Sequence, residues 1–188
     1  MSLKHAILGF LSFKPLTGYD LKKAFDQSVQ HFWPANQSQI YRTLSGLTSE
    51  NMVTQEIVER EERLDMKRYH ITEEGRAELH RWLSTPLAEQ SDRIPQLIQI
   101  YFGGLLSDEE ILAILAHEIR DVEARLAIYR QMLQEFGQEL EGHEQARALF
   151  LSLTTLEFGL QSDQAALDWL LSLDERIRQK NYKIDIKD

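Results

Sequence analysis

The chain has 188 residues, 43% hydrophobic and 27% charged, a balance that excludes a wholly disordered protein. It contains no cysteine, which excludes disulfide frameworks, thiolate metal sites and cysteine nucleophiles, and we expect a cytoplasmic protein. The formal net charge of −9 lies entirely after residue 86: residues 1–86 hold 11 Lys/Arg and 11 Asp/Glu, whereas residues 87–188 hold 10 and 19. This asymmetry predicts two modules, 1–86 and 92–188, with different partners.

The first module begins with two predicted helices. Helical spacing in the first is set by Leu3, Ile7, Leu8 and Leu11. Lys14-Pro15-Leu16 ends that helix, and its apolar run is too short to span a membrane. Thr17 is the expected N-cap of the second helix, with Asp20 near its positive end. We expect Lys22 and Lys23 to face outward. The apolar side of this helix should consist of Tyr19, Leu21, Ala24 and Phe25.

A third helix follows, with Asn36 as the expected N-cap and Gln39 in the reciprocal capping position. Three apolar residues at helical spacing should face the core: Ile40, Leu44 and Leu47. The outward side then carries Gln37, Ser38, Tyr41, Arg42 and Ser45. Gln and Arg can bind base edges, while Ser and Tyr can reach phosphates. The alternative is a polar surface helix without a ligand.

Two segments whose side chains alternate between two faces then predict a pair of strands. The first is Met52–Glu59, and the second contains Tyr69 and Ile71. The charged residues 60–65 would join them as a wing. Thr72 is the expected N-cap of a fourth helix that ends before Pro86, with inner positions Ala77, Leu79, Trp82 and Leu83. The order helix, strand, wing, strand, helix is that of a winged helix-turn-helix, a DNA-binding fold.

Four basic residues are candidates for phosphate contacts. Lys22 and Lys23 lie on the second predicted helix, and Lys67 and Arg68 lie near the predicted wing. Within the wing, carboxylates dilute the positive charge: Glu61, Glu62 and Asp65 accompany Arg60 and Arg63. The two arginines can therefore bind phosphate or pair with their acidic neighbours, and both alternatives stay open.

The second module opens with an apolar segment, Pro95–Leu106, that Gly103-Gly104 interrupts. Ser107 and Glu110 form an expected capping box for a long helix. Its apolar residues follow a 3-4 spacing typical of a coiled coil: Leu112, Leu115, Ile119, Val122, Leu126, Tyr129, Leu133, Phe136 and Leu140. A turn near Gly142 should precede the last helix.

The last predicted helix runs from Ala146 to Arg178. One apolar stripe consists of Leu149, Leu153, Leu156, Leu160, Leu167 and Leu170, and outside it lie Phe150, Phe158, Trp169 and Leu171. A helix that is apolar on more than one side must bury more than one side. The two long helices could form an antiparallel pair within one chain, but we favour an additional second copy. The expected dimerisation residues are Leu112, Leu115, Ile119, Val122, Leu126, Tyr129, Leu153, Leu156 and Leu160.

Several of these segments together resemble the PadR-like transcriptional regulators, in the AphA-like branch with a long helical C-terminal domain. The resemblance rests on segments 3–9, 17–21, 39–44, 67–76, 82–83 and 101–107. One departure is Glu50-Asn51 where members commonly have Glu-Gly, and Asn tolerates the left-handed backbone that a helix end can need.

The resemblance implies a mainly α protein, with an N-terminal winged helix-turn-helix bearing a two-stranded wing and a C-terminal helical (antiparallel coiled-coil) dimerisation domain. It also implies a homodimeric repressor that binds an inverted-repeat DNA operator. Some members respond to phenolic or other aromatic small molecules. Residues that could line such a pocket are Phe32, Trp33, Tyr101, Phe102 and Trp169.

Two other classes of function are alternatives to DNA binding. A metal site or enzyme would rely on His117 with Asp121, or on His143-Glu144, but the sequence has no HExxH, nucleophile-elbow or phosphate-loop motif. We therefore expect no enzyme and no cofactor. The alternative that stays open is a winged-helix module that binds protein rather than DNA, because its net charge is zero.

Overall fold

The computed structural model describes residues 2–30, 32–58, 66–87, 93–137 and 146–184. It is mainly helical, and it divides into two compact units, 1–90 and 91–188. The first unit contains α1 (Ser2–Phe13), β1 (Leu16–Thr17), α2 (Gly18–Gln27), α3 (Gln37–Ser49), β2 (Val53–Val58), β3 (Met66–Ile71) and α4 (Glu73–Leu83). This is the expected winged-helix order. The wing residues 60–65 lie outside the described residues.

The sheet of the first unit is antiparallel, with strand order β1-β3-β2. β1 has only two residues, too short for an alternating pattern, and the sequence did not predict it. Tyr69 in β3 pairs with Leu16 on one side and Gln55 on the other, so β3 joins the N-terminal helices to the hairpin. Val53 at the inner end of β2 is buried, whereas Ile57 near its outer end is 61% exposed.

The core of the first unit combines residues from α1, α2, α3 and the sheet. Its fully buried side chains include Ile7, Leu8, Leu11, Leu21, Phe25, Ile40, Leu44, Leu47 and Val53. Burying each such aliphatic side chain contributes about 1.5–3 kcal/mol, so this cluster holds the helices at fixed positions. The inward stripe predicted for α3 is therefore confirmed.

Three predicted inner positions of the first unit are exposed in the structure. Tyr19 is 68% exposed, because two residues of helix turn it about 200° from buried Leu21. Ala77 is exposed for the same reason, lying two residues from the partly buried Leu79. Leu83 is 67% exposed because it ends α4, beyond the residues that cover Trp82. Those three assignments were wrong.

The second unit contains α5 (Pro95–Tyr101), a 3₁₀ turn (Gly103–Leu105), α6 (Asp108–Gly137) and α7 (Ala146–Arg178). The Ser107–Glu110 capping box forms: the Ser107 amide donates to Glu110 Oε2 at 2.8 Å and the Glu110 amide to Ser107 Oγ at 3.2 Å. α6 and α7 pack along their length. Leu140 and Gly142 lie outside the described residues. Among the helices described, none is both long and apolar enough to cross a bilayer.

Candidate nucleic-acid interface

The outward face of α3 is a polar surface fixed from both ends of the helix. At its start, the Gln39 amide donates to Asn36 Oδ1 at 2.9 Å and the Asn36 amide to Gln39 Oε1 at 3.0 Å. At its end, Asn51 takes the left-handed backbone at φ 56°, which lets the chain turn into β2. With the apolar stripe buried, all the predicted outward residues are exposed, namely Gln37, Ser38, Tyr41, Arg42 and Ser45. The predicted grouping therefore forms one continuous face.

Tyr41 is the most constrained residue of this face. Its side chain is 43% exposed, and its ring lies against Gly18 at the start of α2. The phenol of Tyr69 lies nearby: burial raises the pKa of Tyr69, and the proximity of Tyr41 raises it further. Tyr41 therefore contacts α2 with one part of its ring and offers the other part to solvent.

The four predicted phosphate-contacting residues differ in their surroundings. Lys22 pairs with Asp26 one turn later in α2, whereas Lys23 is exposed. Lys67 is exposed, and Arg68 is half-buried opposite Glu56 on the neighbouring strand. Lys23 and Arg68 line the same groove, of about 600 Å³, which Lys14 and His70 also line. Lys22 and Lys67 do not line this groove.

Carboxylates moderate the positive charge of this region. Glu56 Oε2 lies 3.1 Å from His70 Nε2 on β3, and Asp20 lines the groove while accepting from the Thr17 hydroxyl at 2.7 Å. Arg60, Arg63 and their acidic neighbours lie outside the described residues. The described surface is therefore only mildly basic, in agreement with the zero net charge of residues 1–86.

Sequence patterns missed one residue of this surface. Lys14, which the sequence places in a helix break, lines the groove with Lys23 and Arg68. Tyr19 was placed in the core, yet it is exposed next to Gly18. Its spacing of two residues from Leu21 was a signal that could have placed it outside.

The residues expected to mediate dimerisation lie along the seam between α6 and α7 of one chain. Leu115, Val122 and Leu126 pack with Leu167, Leu170 and Ile177, with Leu112, Ile119 and Leu160 at the margin. A second cluster joins Tyr129 to Leu153 and Leu156. Arg125 clamps the same seam with bonds of 2.8 and 3.2 Å to the Asp163 carboxylate. The spacing had been compatible with an intrachain pair, and this is the contact that the structure contains.

Other apolar side chains of α7 remain on the surface. Leu151 and Phe158 are 48% and 72% exposed. Their separation of seven residues places them within about 20° of each other, on the side opposite the seam. The two-sided apolar character expected of this helix is therefore present, and only one side is covered within the described chain.

The aromatic residues predicted for an effector pocket are divided between the two units. Phe32 and Trp33 belong to the first unit, where Trp33 packs against the core. Tyr101 and Phe102 contact each other edge-on at 4.9 Å and are exposed. Trp169 lines a mainly apolar cavity of about 280 Å³ between α5, α6 and α7, which Arg125 and Glu118 also line.

Of the residues proposed for metal binding, His117 and Asp121 lie within the described part of the chain. His117 Nε2 lies 3.6 Å from Asp121 Oδ2, as i,i+4 neighbours on exposed helix surface. His143 and Glu144 lie outside the described residues. In the part of the chain that the structure describes, no group of three or more His, Asp or Glu side chains could hold a metal ion.

Comparison with known proteins gives the same division of the chain into two parts. Residues 7–81 match the transcriptional regulator PadR-like family, and residues 93–178 match the virulence activator alpha C-terminal family. A probable transcriptional regulator of Mycobacterium tuberculosis is 29% identical over 194 residues, 96% of this chain and 100% of that protein. The negative transcriptional regulator PadR of Bacillus subtilis is 29% identical over 91% of this chain and 94% of its own length.

Solved structures are similar over nearly the whole chain. B. subtilis PadR in complex with operator DNA has a TM-score of 0.79 at 28% identity, covering 94% of this chain and 99% of that chain. The structure of the same protein in complex with p-coumaric acid has a TM-score of 0.74 at 28% identity, covering 94% of this chain and 95% of that chain. The structure of the Vibrio cholerae virulence activator AphA has a TM-score of 0.77 at 27% identity, covering 95% of this chain and 99% of that chain.

The fold and the two matches define a two-domain winged-helix transcriptional regulator. Residues 7–81 form a PadR-like family domain, and residues 93–178 form a virulence activator alpha C-terminal domain.

Proposed function

We propose that this chain represses transcription by binding an inverted-repeat DNA operator as a homodimer, with α3 in the major groove. The observation that carries the proposal is the exposed face of α3, where Gln37, Tyr41 and Arg42 stand clear of the core. Gln and Arg side chains can form paired hydrogen bonds with base edges. The complex of B. subtilis PadR with operator DNA supports the same use of the fold.

A homodimer would supply two copies of this face. The uncovered side of α7, with Leu151 and Phe158, is the surface we propose for a second copy, because the predicted dimerisation residues already pack within one chain. Twofold symmetry would place the two α3 helices in groove segments about 34–36 Å apart or a multiple of that distance. Two linked modules would also offset the mild charge of each one through effective concentration.

The alternative is a winged-helix module that binds protein without binding DNA, which the zero net charge of residues 1–86 favours. Salt dependence separates the two. DNA binding driven by counterion release should weaken steeply with added salt, and Lys23→Ala should reduce the logarithmic slope by about 1 per protomer, whereas Lys180→Ala in the second unit should not. A protein that ignores every duplex in low salt would support the alternative instead.

We further propose that a small aromatic acid regulates this binding through the cavity lined by Trp169 and Arg125. The p-coumaric acid complex of B. subtilis PadR motivates the ligand class, and the mainly apolar lining suits an aromatic ring. Tryptophan fluorescence titrated with aromatic acids should show a saturable change that Trp169→Phe abolishes and Trp33→Phe retains. Absence of a saturable change with every acid would refute this part.

A further inference from the structure

The contact between Gly18 and Tyr41 has a feature that the DNA-binding face alone does not explain. Gly18 is buried at the first position of α2, and a β-carbon added there would lie 2.5 Å from Tyr41 Cε1, 2.6 Å from Cζ and 2.8 Å from the hydroxyl oxygen. Any residue other than glycine would therefore occupy the space that the outer end of the Tyr41 ring now fills.

A β-carbon at position 18 would displace the Tyr41 ring without disturbing the backbone of the first unit. All three close atoms belong to the free end of a side chain that can rotate outward to solvent, since Tyr41 is 43% exposed. At Gly75, by contrast, an added β-carbon would lie 2.2 Å from the backbone carbonyl oxygen of Met52, which cannot move without shifting the turn before β2. Gly18→Ala should thus relocate one side chain, and Gly75→Ala should disturb the unit.

We propose that Gly18 is a positioning residue for DNA recognition: by lacking a side chain, it seats the Tyr41 ring against α2 and fixes where the hydroxyl stands on the face of α3. This inference rests on the proposed DNA-binding function. With the seat filled, the ring turns outward into the space that a duplex would occupy. A residue that touches no DNA would in this way control the shape of the surface that does.

The test is a double-mutant cycle read by operator affinity. Gly18→Ala should weaken binding at least tenfold, and Tyr41→Ala should weaken it comparably. In the Tyr41→Ala background, Gly18→Ala should change affinity by less than twofold, because no ring remains to be displaced. The matched control is Gly9→Ala in α1, where an added β-carbon meets no atom within 4 Å and affinity should stay unchanged.

Thermal unfolding distinguishes a positioning role of Gly18 from a role in the stability of the first unit. Alanine favours helix more than glycine does, so Gly18→Ala should keep or raise Tm, while Gly75→Ala should lower it. Wild-type affinity in Gly18→Ala, or an undiminished loss from Gly18→Ala in the Tyr41→Ala background, would overturn the proposal.

A measurement without DNA distinguishes failure of this inference from failure of the proposed function. The Hα protons of Gly18 lie against an aromatic ring, so their NMR resonances should be displaced by its ring current, and Tyr41→Leu should abolish the displacement. If the displacement is present but no duplex binds, the contact stands and the DNA-binding role of Gly18 is refuted with the proposed function. If the displacement is absent, the seat itself is refuted.

Discussion

Arg42 lies on the solvent side of α3 because Ile40 and Leu44 on the same helix are fully buried. It forms no ion pair with any residue that the structure describes, so its guanidinium keeps all its donors for a ligand. The sequence sufficed to predict this, because a 3.6-residue period places outward positions as firmly as inward ones. Tyr41 needed the structure, since its partner Gly18 is 23 residues away and glycine leaves no pattern.

Arg42→Ala should weaken binding to a selected operator by about 1–3 kcal/mol if the guanidinium contacts a base. Relaxed discrimination at one base pair should accompany the loss. Arg147→Ala, an exposed arginine in the second unit, is the matched control and should leave affinity unchanged. Unaltered binding by the Arg42 variant in a gel-shift titration would remove Arg42 from the interface.

Glu78 connects α4 to α1 through a partly buried polar network. Its Oε1 lies 3.0 Å from His5 Nε2, and Arg81 donates to both carboxylate oxygens. His5 in turn stacks on Trp82 at 4.4 Å. The hydrogen bond from His5, followed by that from Arg81, lowers the pKa of Glu78 below its ordinary 4.5. Sequence patterns did not indicate this network, because His5 and Glu78 are 73 residues apart.

The lowered pKa of Glu78 predicts a stability that depends on pH. Below pH 4.5 the unfolded chain binds the proton more readily than the folded one, so stabilisation by the carboxylate is full above that pH and is lost as pH falls through the lower folded value. Glu78→Gln should lower the free energy of unfolding by about 2 kcal/mol at pH 7. The free energy of unfolding of the variant, measured in urea, should then fall less steeply than that of the wild type as the pH is lowered. Parallel pH curves for variant and wild type would contradict this assignment.

At the scale of elements, the turn from α3 into β2 depends on Asn51. Its φ of 56° is in the left-handed region, and its carbonyl oxygen accepts from Thr72 Oγ1 at 2.8 Å, which ties the turn to the start of α4. The sequence predicted a tolerant residue here from Glu50-Asn51. The link to Thr72 could not be predicted, since it joins positions 21 residues apart.

Asn51→Ala should destabilise the first unit by about 1–2 kcal/mol, because a β-carbon without a compensating polar group is strained in this conformation. Asn51→Gly should be neutral or stabilising, since glycine adopts positive φ without strain. Urea unfolding of both variants measures the difference. Equal stabilities for the alanine and glycine variants would show that the backbone strain argument is wrong.

At the scale of the whole molecule, the long helices show what a repeat can and cannot predict. The 3-4 spacing in α6 and the bounds of α7, Ala146–Arg178, were predicted from the sequence and are present. The identity of the partner helix was not encoded in that spacing, because an intrachain neighbour and a second copy demand the same apolar stripe. The structure fills the seam from one chain and leaves Phe158 on the other side of α7 72% exposed.

Phe158→Glu should therefore convert the proposed dimer into a monomer while leaving helix content unchanged, because the charge would be buried against a second copy and not in the intrachain seam. Sedimentation at micromolar concentration measures the change. Ser152→Glu adds the same charge at another exposed position of α7 and should remain dimeric. A dimeric Phe158→Glu protein would place the interface elsewhere.

Selection of bound sites from random duplex DNA, followed by sequencing, tests whether two α3 faces bind one operator. We expect enrichment of an inverted repeat whose half-site centres are about 10–10.5 base pairs apart or a multiple of that. Tyr41→Ala and Arg42→Ala should reduce this enrichment. Recovery of no preferred sequence, or of a single unpaired half-site, would contradict the account.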